Sequence, residues 1–181
     1  MDTFISMLRG INVGGRKKIR MAELRRLYES LGLANVTTCV QSGNVVFDSV
    51  EQDGSKLGEL IEAQIERVFG YSVPVFIRGI GDFRRIIDGN PFLNERNEDI
   101  ARLYVTFLYA PPPESKLSDL VVPGNEAAEF SVGEGEMFLF CPNGYGRTKL
   151  SNSFFERKLN VPATTRNWKT VNASYKLAKE R

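Results

Sequence analysis

"VTTCVQSGNVVFD" occupies residues 36–48. Two runs rich in β-branched and apolar residues flank Ser42-Gly43, a small, glycine-bearing break suited to a tight reversal. The stretch therefore predicts a β-hairpin. On both sides of it the hydrophobic period changes from two to that of a helix. Upstream, Met21, Leu24, Tyr28 and Leu31 recur at helical spacing within residues 20–31, behind a strand-like apolar run at 3–9 (TFISMLR). Downstream, Leu57, Ile61 and Val68 mark a helix over 55–69, and VPVFIR at 73–78 reads as another strand. The order β-α-β-β-α-β is that of the ferredoxin-like plait.

The pattern then recurs. After a connecting helix (GDFRRIID, 81–88) and the tripeptide NPF (90–92), RLYVTFLYA (102–110) reads as a strand and PPPESKLSDL (111–120) as a short helix. EFSVG and EMFLFCP form a hairpin around Gly133–Gly135, TKLSNSFFERKL (148–159) a helix and VPATT (161–165) a strand. A last helix from about Arg166 carries Trp168, Val171, Tyr175 and Ala178 on one face, with Trp168 read as core. The expected fold class is α+β: a duplicated ferredoxin-like α-β plait with a C-terminal helix. Residues 1–80 form the first repeat, 81–99 a connecting helix and loop, and 100–181 the second repeat plus the final helix. Within each plait the first and third strands are expected to run parallel, which would bring the loops after them to one end. RLYVTFLYA is apolar at alternate and intervening positions, so its sheet should be covered on both faces. That argues against an open platform for stacking RNA bases.

The chain has 181 residues and no histidine, which excludes a His general base, a His-dependent triad and a His-ligated metal within it. Cys39 and Cys141 lie in apolar strand runs without metal-ligand spacing, so both are expected buried, without a disulfide and without a metal. No apolar run approaches a membrane span and the start does not read as a signal peptide. A cytoplasmic location follows as the expectation. The net charge of +2 hides an asymmetry: residues 9–26 carry seven basic and one acidic side chain, residues 144–181 nine and two, and residues 27–143 eight and eighteen. Two separated basic segments favour an anionic partner at a defined place.

Both segments fall at helix starts, where free amides ordinarily attract carboxylates and a cation costs about 0.3–1 kcal/mol. Arg16, Lys17, Lys18 and Arg20 crowd before the first helix, Arg147 and Lys149 before the SNSFFERKL helix, and Arg166 before the last. A bound phosphate or carboxylate would reverse the sign. Gly14, Gly15 and Gly146 offer approachable backbone, while Thr148, Thr164, Thr165 and Asn167 offer donors. The alternative is a solvated basic face with loop glycines. "GINVGGRKK" has neither P-loop nor Rossmann spacing. Tyr145, between two glycines, is the better candidate for stacking a base. Glu23, Asp48, Glu156 and the tyrosines are candidate acids or bases but form no pair by spacing.

RGINVGG (9–15), QSGNVVF (41–47), NPF (90–92), YGRTKLSNSFFERKL (145–159) and TTRNWKTV (164–171) together resemble a prokaryotic family known as domain of unknown function 1697. The similarity spans nearly the whole chain. It implies two α-β plaits and, the family having no established activity, no catalytic residue. Its signature positions here are Arg9, Gly10, Asn12, Gly14, Gly15, Gln41, Ser42, Asn44, Lys149, Arg166 and Asn167.

The leading functional expectation is a protein that binds a phosphate-bearing small molecule or a nucleic acid at its basic, Gly-rich loops. The ligand-binding set is Arg9, Asn12, Gly14, Gly15, Arg16, Lys17, Gln41, Asn44, Tyr145, Arg147, Lys149, Arg166 and Asn167. Arg9, Arg16 or Lys17 would share one electropositive surface with Arg147, Lys149 or Arg166. No cofactor, metal or membrane partner is expected. Two alternatives stand beside it: an enzyme without His chemistry acting on a phosphorylated or anionic substrate through Arg/Lys electrostatics, and a scaffold or homo-oligomer.

Overall fold

The hairpin forms. β2 (Ala34–Cys39) pairs antiparallel with β3 (Asn44–Ser49), Cys39 opposite Asn44 and Thr38 opposite Val45. The computed structural model describes residues 1–39 and 43–181, so the middle of the reversal lies outside the described residues. β1 (Asp2–Leu8) runs beside β3 with Phe4 opposite Phe47, and β4 (Val75–Gly79) flanks β1 on its other side. The order is β2-β3-β1-β4, and the ladders are antiparallel. α1 (Met21–Ser30) and α2 (Gly54–Phe69) cover one face. Their Leu24, Leu27, Tyr28, Leu57, Ile61 and Ile65 are buried against Phe4, Leu8, Val45 and Phe47. Each such aliphatic side chain contributes about 1.5–3 kcal/mol when fully buried. Tyr28 enters this core because its hydroxyl bonds the Ser6 hydroxyl at 2.8 Å; burial pushes the phenol well above its ordinary pKa, the Ser6 bond opposing only in part.

One expectation fails here. β1 and β3 are antiparallel, not parallel. An α1 crossover makes β1 and β2 co-directional, so a strand hairpinned to β2 and inserted between them must oppose both. The loop after β1 and the loop after β3 therefore lie at opposite ends of their sheet.

The second half carries the other sheet. α3 (Ile80–Asp88) and the short α4 (Pro91–Asn94) lead into β5 (Leu103–Leu108). α5 (Glu114–Ser118), β6 (Glu129–Val132), β7 (Glu136–Phe140), α6 (Asn152–Leu159) and β8 (Ala163–Asn167) follow. Among the described residues these strands make a second four-stranded antiparallel sheet of order β6-β7-β5-β8. Phe154, Phe155 and Leu159 of α6 pack on Leu108, Met137, Leu139 and Ala163. On the opposite face Leu103, Val105 and Phe107 are also buried, so β5 is covered on both sides, as its uninterrupted apolar pattern requires.

By contacts the chain divides into Met1–Arg85 with Asn172–Arg181, and Ile86–Val171. The last helix, α7 (Trp168–Lys179), thus begins in the second unit and ends in the first. Within the first unit, hydrogen bonds hold the end of the chain. Asn44 is fully buried on β3, and its Nδ2 donates to Ser174 Oγ at 3.0 Å. Arg181 donates to Val46 O and Thr37 Oγ1, both at 3.0 Å, and approaches Asp48 at 3.5 Å. No helix among the described residues is long and apolar enough to cross a membrane.

Candidate functional site

After β1 the chain builds a braced arm. Buried Ile11 and Ile19 anchor its two ends, and the Asn12 amide ties them: Nδ2 donates to Ile19 O and Oδ1 accepts from Ile19 N, each at 2.9 Å. Asn12 N donates to Lys17 O at 3.1 Å and Arg16 N to Val13 O at 3.0 Å. Gly14 and Gly15 sit at the tip with φ of 58° and 73°, the pattern of a type I′ reversal that L side chains resist. A Cβ on either would meet nothing within 4 Å. The turn itself requires these glycines. Lys17 holds φ 47° and donates from Nζ to Ser72 O at 2.6 Å. Asn12 and Lys17, expected as ligand donors, are thus spent on the arm itself.

What the arm presents is different. Arg16, Lys18 and Arg20 are exposed and, among the described residues, enter no ion pair. α1 starts directly after Arg20, which stands at the N-cap with extended backbone (φ −71°, ψ 138°) and no side-chain bond to the first turn. Cations and uncovered amides meet here, with Glu23 as the first-turn acid. Arg9, half-buried, donates its backbone N–H to Pro74 O at 3.1 Å; Gly10 follows at φ 73°.

The loop before α6 carries its own anion. Thr148 Oγ1 donates to the Glu126 carboxylate, and Lys149 N donates to both its oxygens at 3.0 and 2.9 Å. The helix itself is capped by Ser151, whose Oγ accepts from Phe154 N at 3.2 Å. A phosphate or carboxylate ligand is the expectation for NGYGRTK; in the structure the Thr148 hydroxyl and the Lys149 amide have a carboxylate of the protein itself. Glu126 lies more than twenty residues upstream in a segment with no periodic pattern, so no local signal marks it. Arg147 is exposed beside a cavity of about 160 Å³ lined also by Glu126, Cys141, Gly144 and Thr148. Tyr145 does not offer a clear stacking face: its ring lies on Tyr104 (centroids 5.1 Å apart) and packs against the second core.

The third start is also internally satisfied. Asn167 Oδ1 accepts from Thr170 N at 2.8 Å, capping α7. Arg166 Nη1 donates to Thr164 Oγ1 and Thr165 O at 2.8 and 3.0 Å. Burial lowers its pKa to about 10, with Tyr145 opposing, so it stays charged at neutral pH. Trp168 is buried. Asn44, bonded to Ser174, is core rather than ligand surface. Gln41 and Ser42 lie outside the described residues. Arg9, Asn12, Gly14, Gly15, Arg16, Lys17 and Asn44 belong to the first unit, and Tyr145, Arg147, Lys149, Arg166 and Asn167 to the second.

The other candidate groups are engaged as well. Asp48 accepts from Thr3 Oγ1 and Asn35 Nδ2, both at 2.7 Å. Burial alone would raise its pKa, but those bonds and the Arg181 charge outweigh it and hold the carboxyl below its usual range. Glu156 accepts from Ala163 N at 3.2 Å. Cys39 and Cys141 are buried and form no disulfide. Desolvation pushes both thiols up, Cys141 to about 11, which leaves little thiolate for nucleophilic work.

No curated protein matches the chain. The fold is similar to that of a solved structure, the conserved bacterial protein SP0830 from Streptococcus pneumoniae, with a TM-score of 0.76 at 24% sequence identity over 98% of each chain. The family model described as "Protein of unknown function (DUF1697)" matches residues 1–138, a span that contains the arm and the first hairpin, and the chain belongs to that family.

Proposed function

We propose that the protein binds a phosphate-bearing ligand at the arm, where Arg16, Lys18 and Arg20 lead into α1. The observation that carries this reading is a contrast among three helix starts. Ser151 and Asn167 cap α6 and α7, and the Glu126 carboxylate takes the Thr148 hydroxyl and the Lys149 backbone amide before α6. The N-cap of α1 has no such bond, yet exposed cations precede it. Cations beside uncovered amides raise the energy of the ligand-free state, and an anion shared between them lowers it.

Inorganic phosphate provides the test. It should raise the melting temperature of the wild-type protein with a saturating dose dependence. In Arg16→Ala/Lys18→Ala/Arg20→Ala the shift should vanish while the phosphate-free melting temperature holds or rises. Equal phosphate shifts in both proteins would place the anion elsewhere and sink the reading.

We propose further that the two halves are a duplicated ferredoxin-like plait, with residues 1–80 and 100–166 as the repeats. The shared relative strand order supports this. Matching hydrogen-exchange protection of β1 with β5, and of β3 with β7, is the expected signature of two equivalent sheets. Protection confined to one sheet would count against it.

A further inference from the structure

We infer that the ligand of the arm is a nucleic acid, gripped through several phosphodiesters, rather than a single phosphate or nucleotide. This rests on the reading of the arm as the anion site and names the class of ligand. Four features carry it.

First, the arm projects rather than encloses. Asn12 to Arg16 are exposed in succession, and the space a Cβ would fill at Gly10, Gly14 and Gly15 is open. Small-molecule sites are concave and bury most of their ligand, whereas a polyanion is met by exposed features that reach its backbone.

Second, the cations are distributed. Arg16, Lys18 and Arg20 are separated by single residues, so their attachment points spread over up to ~13 Å of chain. A backbone that repeats its charge along its length answers all three.

Third, the arm is rigid where it needs to be. Asn12 bridges to Ile19 twice, Lys17 is tied to Ser72, and the tip closes through Arg16 N to Val13 O. Ordering is therefore largely complete before any ligand arrives, which lowers the cost of binding.

Fourth, Val13 at the first corner of the tip is 66% exposed. An apolar corner bridged to Arg16 suits the sugar edges of a groove while the charges hold the phosphates. With Arg16, Lys18 and Arg20 engaged on phosphates, which carry no sequence information, the grip should be insensitive to sequence.

The experiment is a salt titration of binding, read by fluorescence anisotropy of a short labelled DNA duplex, with a matching RNA duplex and single strand as parallel probes. Three engaged phosphates give a log–log salt slope of about −2.7, or roughly a forty-fold loss of affinity between 50 and 200 mM salt. Each single Ala substitution at Arg16, Lys18 or Arg20 should flatten the slope by about one unit, and all sequences should weaken alike. These side chains are exposed and outside ion pairs, and circular dichroism would verify that each variant keeps its fold.

Binding that is unaffected by the three substitutions, or a slope shallower than one, overturns the inference. So does stronger association with phosphatidylserine vesicles than with every nucleic acid probe. Should phosphate raise the melting temperature through the arm while no nucleic acid binds, the anion site stands and this inference falls. Failure of phosphate and nucleic acid alike removes both.

Discussion

The arm at residues 12–20 and the loop at 143–149 read alike in sequence: glycines, then cations, then a helix. In the structure they part. The second loop folds its Thr148 hydroxyl and Lys149 amide onto Glu126, and Ser151 caps the helix that follows. The arm spends its polar groups on its own shape and leaves Arg16, Lys18 and Arg20 facing outward. A run of cations at a helix start thus signals the need for an anion without saying who provides it. The provider is visible only once distant segments are brought together.

Removing the internal anion is the strongest way to break this contrast. Glu126→Ala leaves the Thr148 hydroxyl and the Lys149 amide without their acceptor, at about 1–3 kcal/mol for each buried group. Both lie near the surface, so the low end applies. A loss of about 2–3 kcal/mol in all lowers the melting temperature by about 5–10 °C in a chain of this size. Made in a background lacking the arm cations, the variant should regain part of that loss on adding phosphate or acetate. Without such rescue, the second loop is held by something other than its carboxylate.

Asp48 extends the comparison to an internal carboxylate in the first unit. Its folded pKa lies below the ordinary 3.8. Its contribution is therefore fully present above that value and is lost as pH falls through the lower, folded value. Asp48→Asn should cost about 1–2 kcal/mol at neutral pH, since charged hydrogen bonds to Asn35 and Thr3 become neutral ones. Its denaturant midpoint should also fall less steeply than that of the wild type below about pH 4. Parallel acid profiles for the two proteins would show that Asp48 does not set the response.

The elements of the fold were legible because their causes are local. Alternating β-branched runs around Ser42-Gly43, the four-residue spacing of Leu57 and Ile61, and the unbroken apolar RLYVTFLYA each need only their neighbours to be read. Val68, however, expected on the same helix face, is exposed while Ile65 is buried in its place. The buried Trp168 followed from the same spacing. The relation of β1 to β3 could also have been deduced, since a strand lying between β1 and β2 has only one direction open to it. The site was less legible, for a different reason. Asn12 looks like a ligand donor until Ile19 closes on it, and Asn44 until Ser174, 130 residues later, takes its amide. Tyr145 reads as exposed between glycines, and only Tyr104 on another element gives it a stacking partner. A polar side chain advertises its chemistry in the sequence, but what satisfies it is decided by long-range packing.

The finest test turns the arm into a copy of the second loop. Arg20 occupies the N-cap of α1 with the extended backbone that capping residues adopt, and Glu23 already stands at the third helical position. Arg20→Ser therefore completes a capping box: the hydroxyl accepts from a first-turn amide and Glu23 can answer the N-cap amide. The cap adds about 1 kcal/mol, and loss of a cation from the positive end of the helix acts in the same direction. The phosphate-free melting temperature should rise by about 2–4 °C. At the same time the phosphate-dependent shift should shrink, because the amides that would receive the anion now have a side-chain partner. Ser151→Ala, by contrast, removes a cap that exists and should destabilise by a similar amount. A stabilised Arg20→Ser variant with an undiminished phosphate response would mean that the anion rests on Arg16 and Lys18 alone. A variant that is neither stabilised nor less responsive would mean that the α1 amides take no part, and the distinction between the two loops would then lie in their cations and not in their helices.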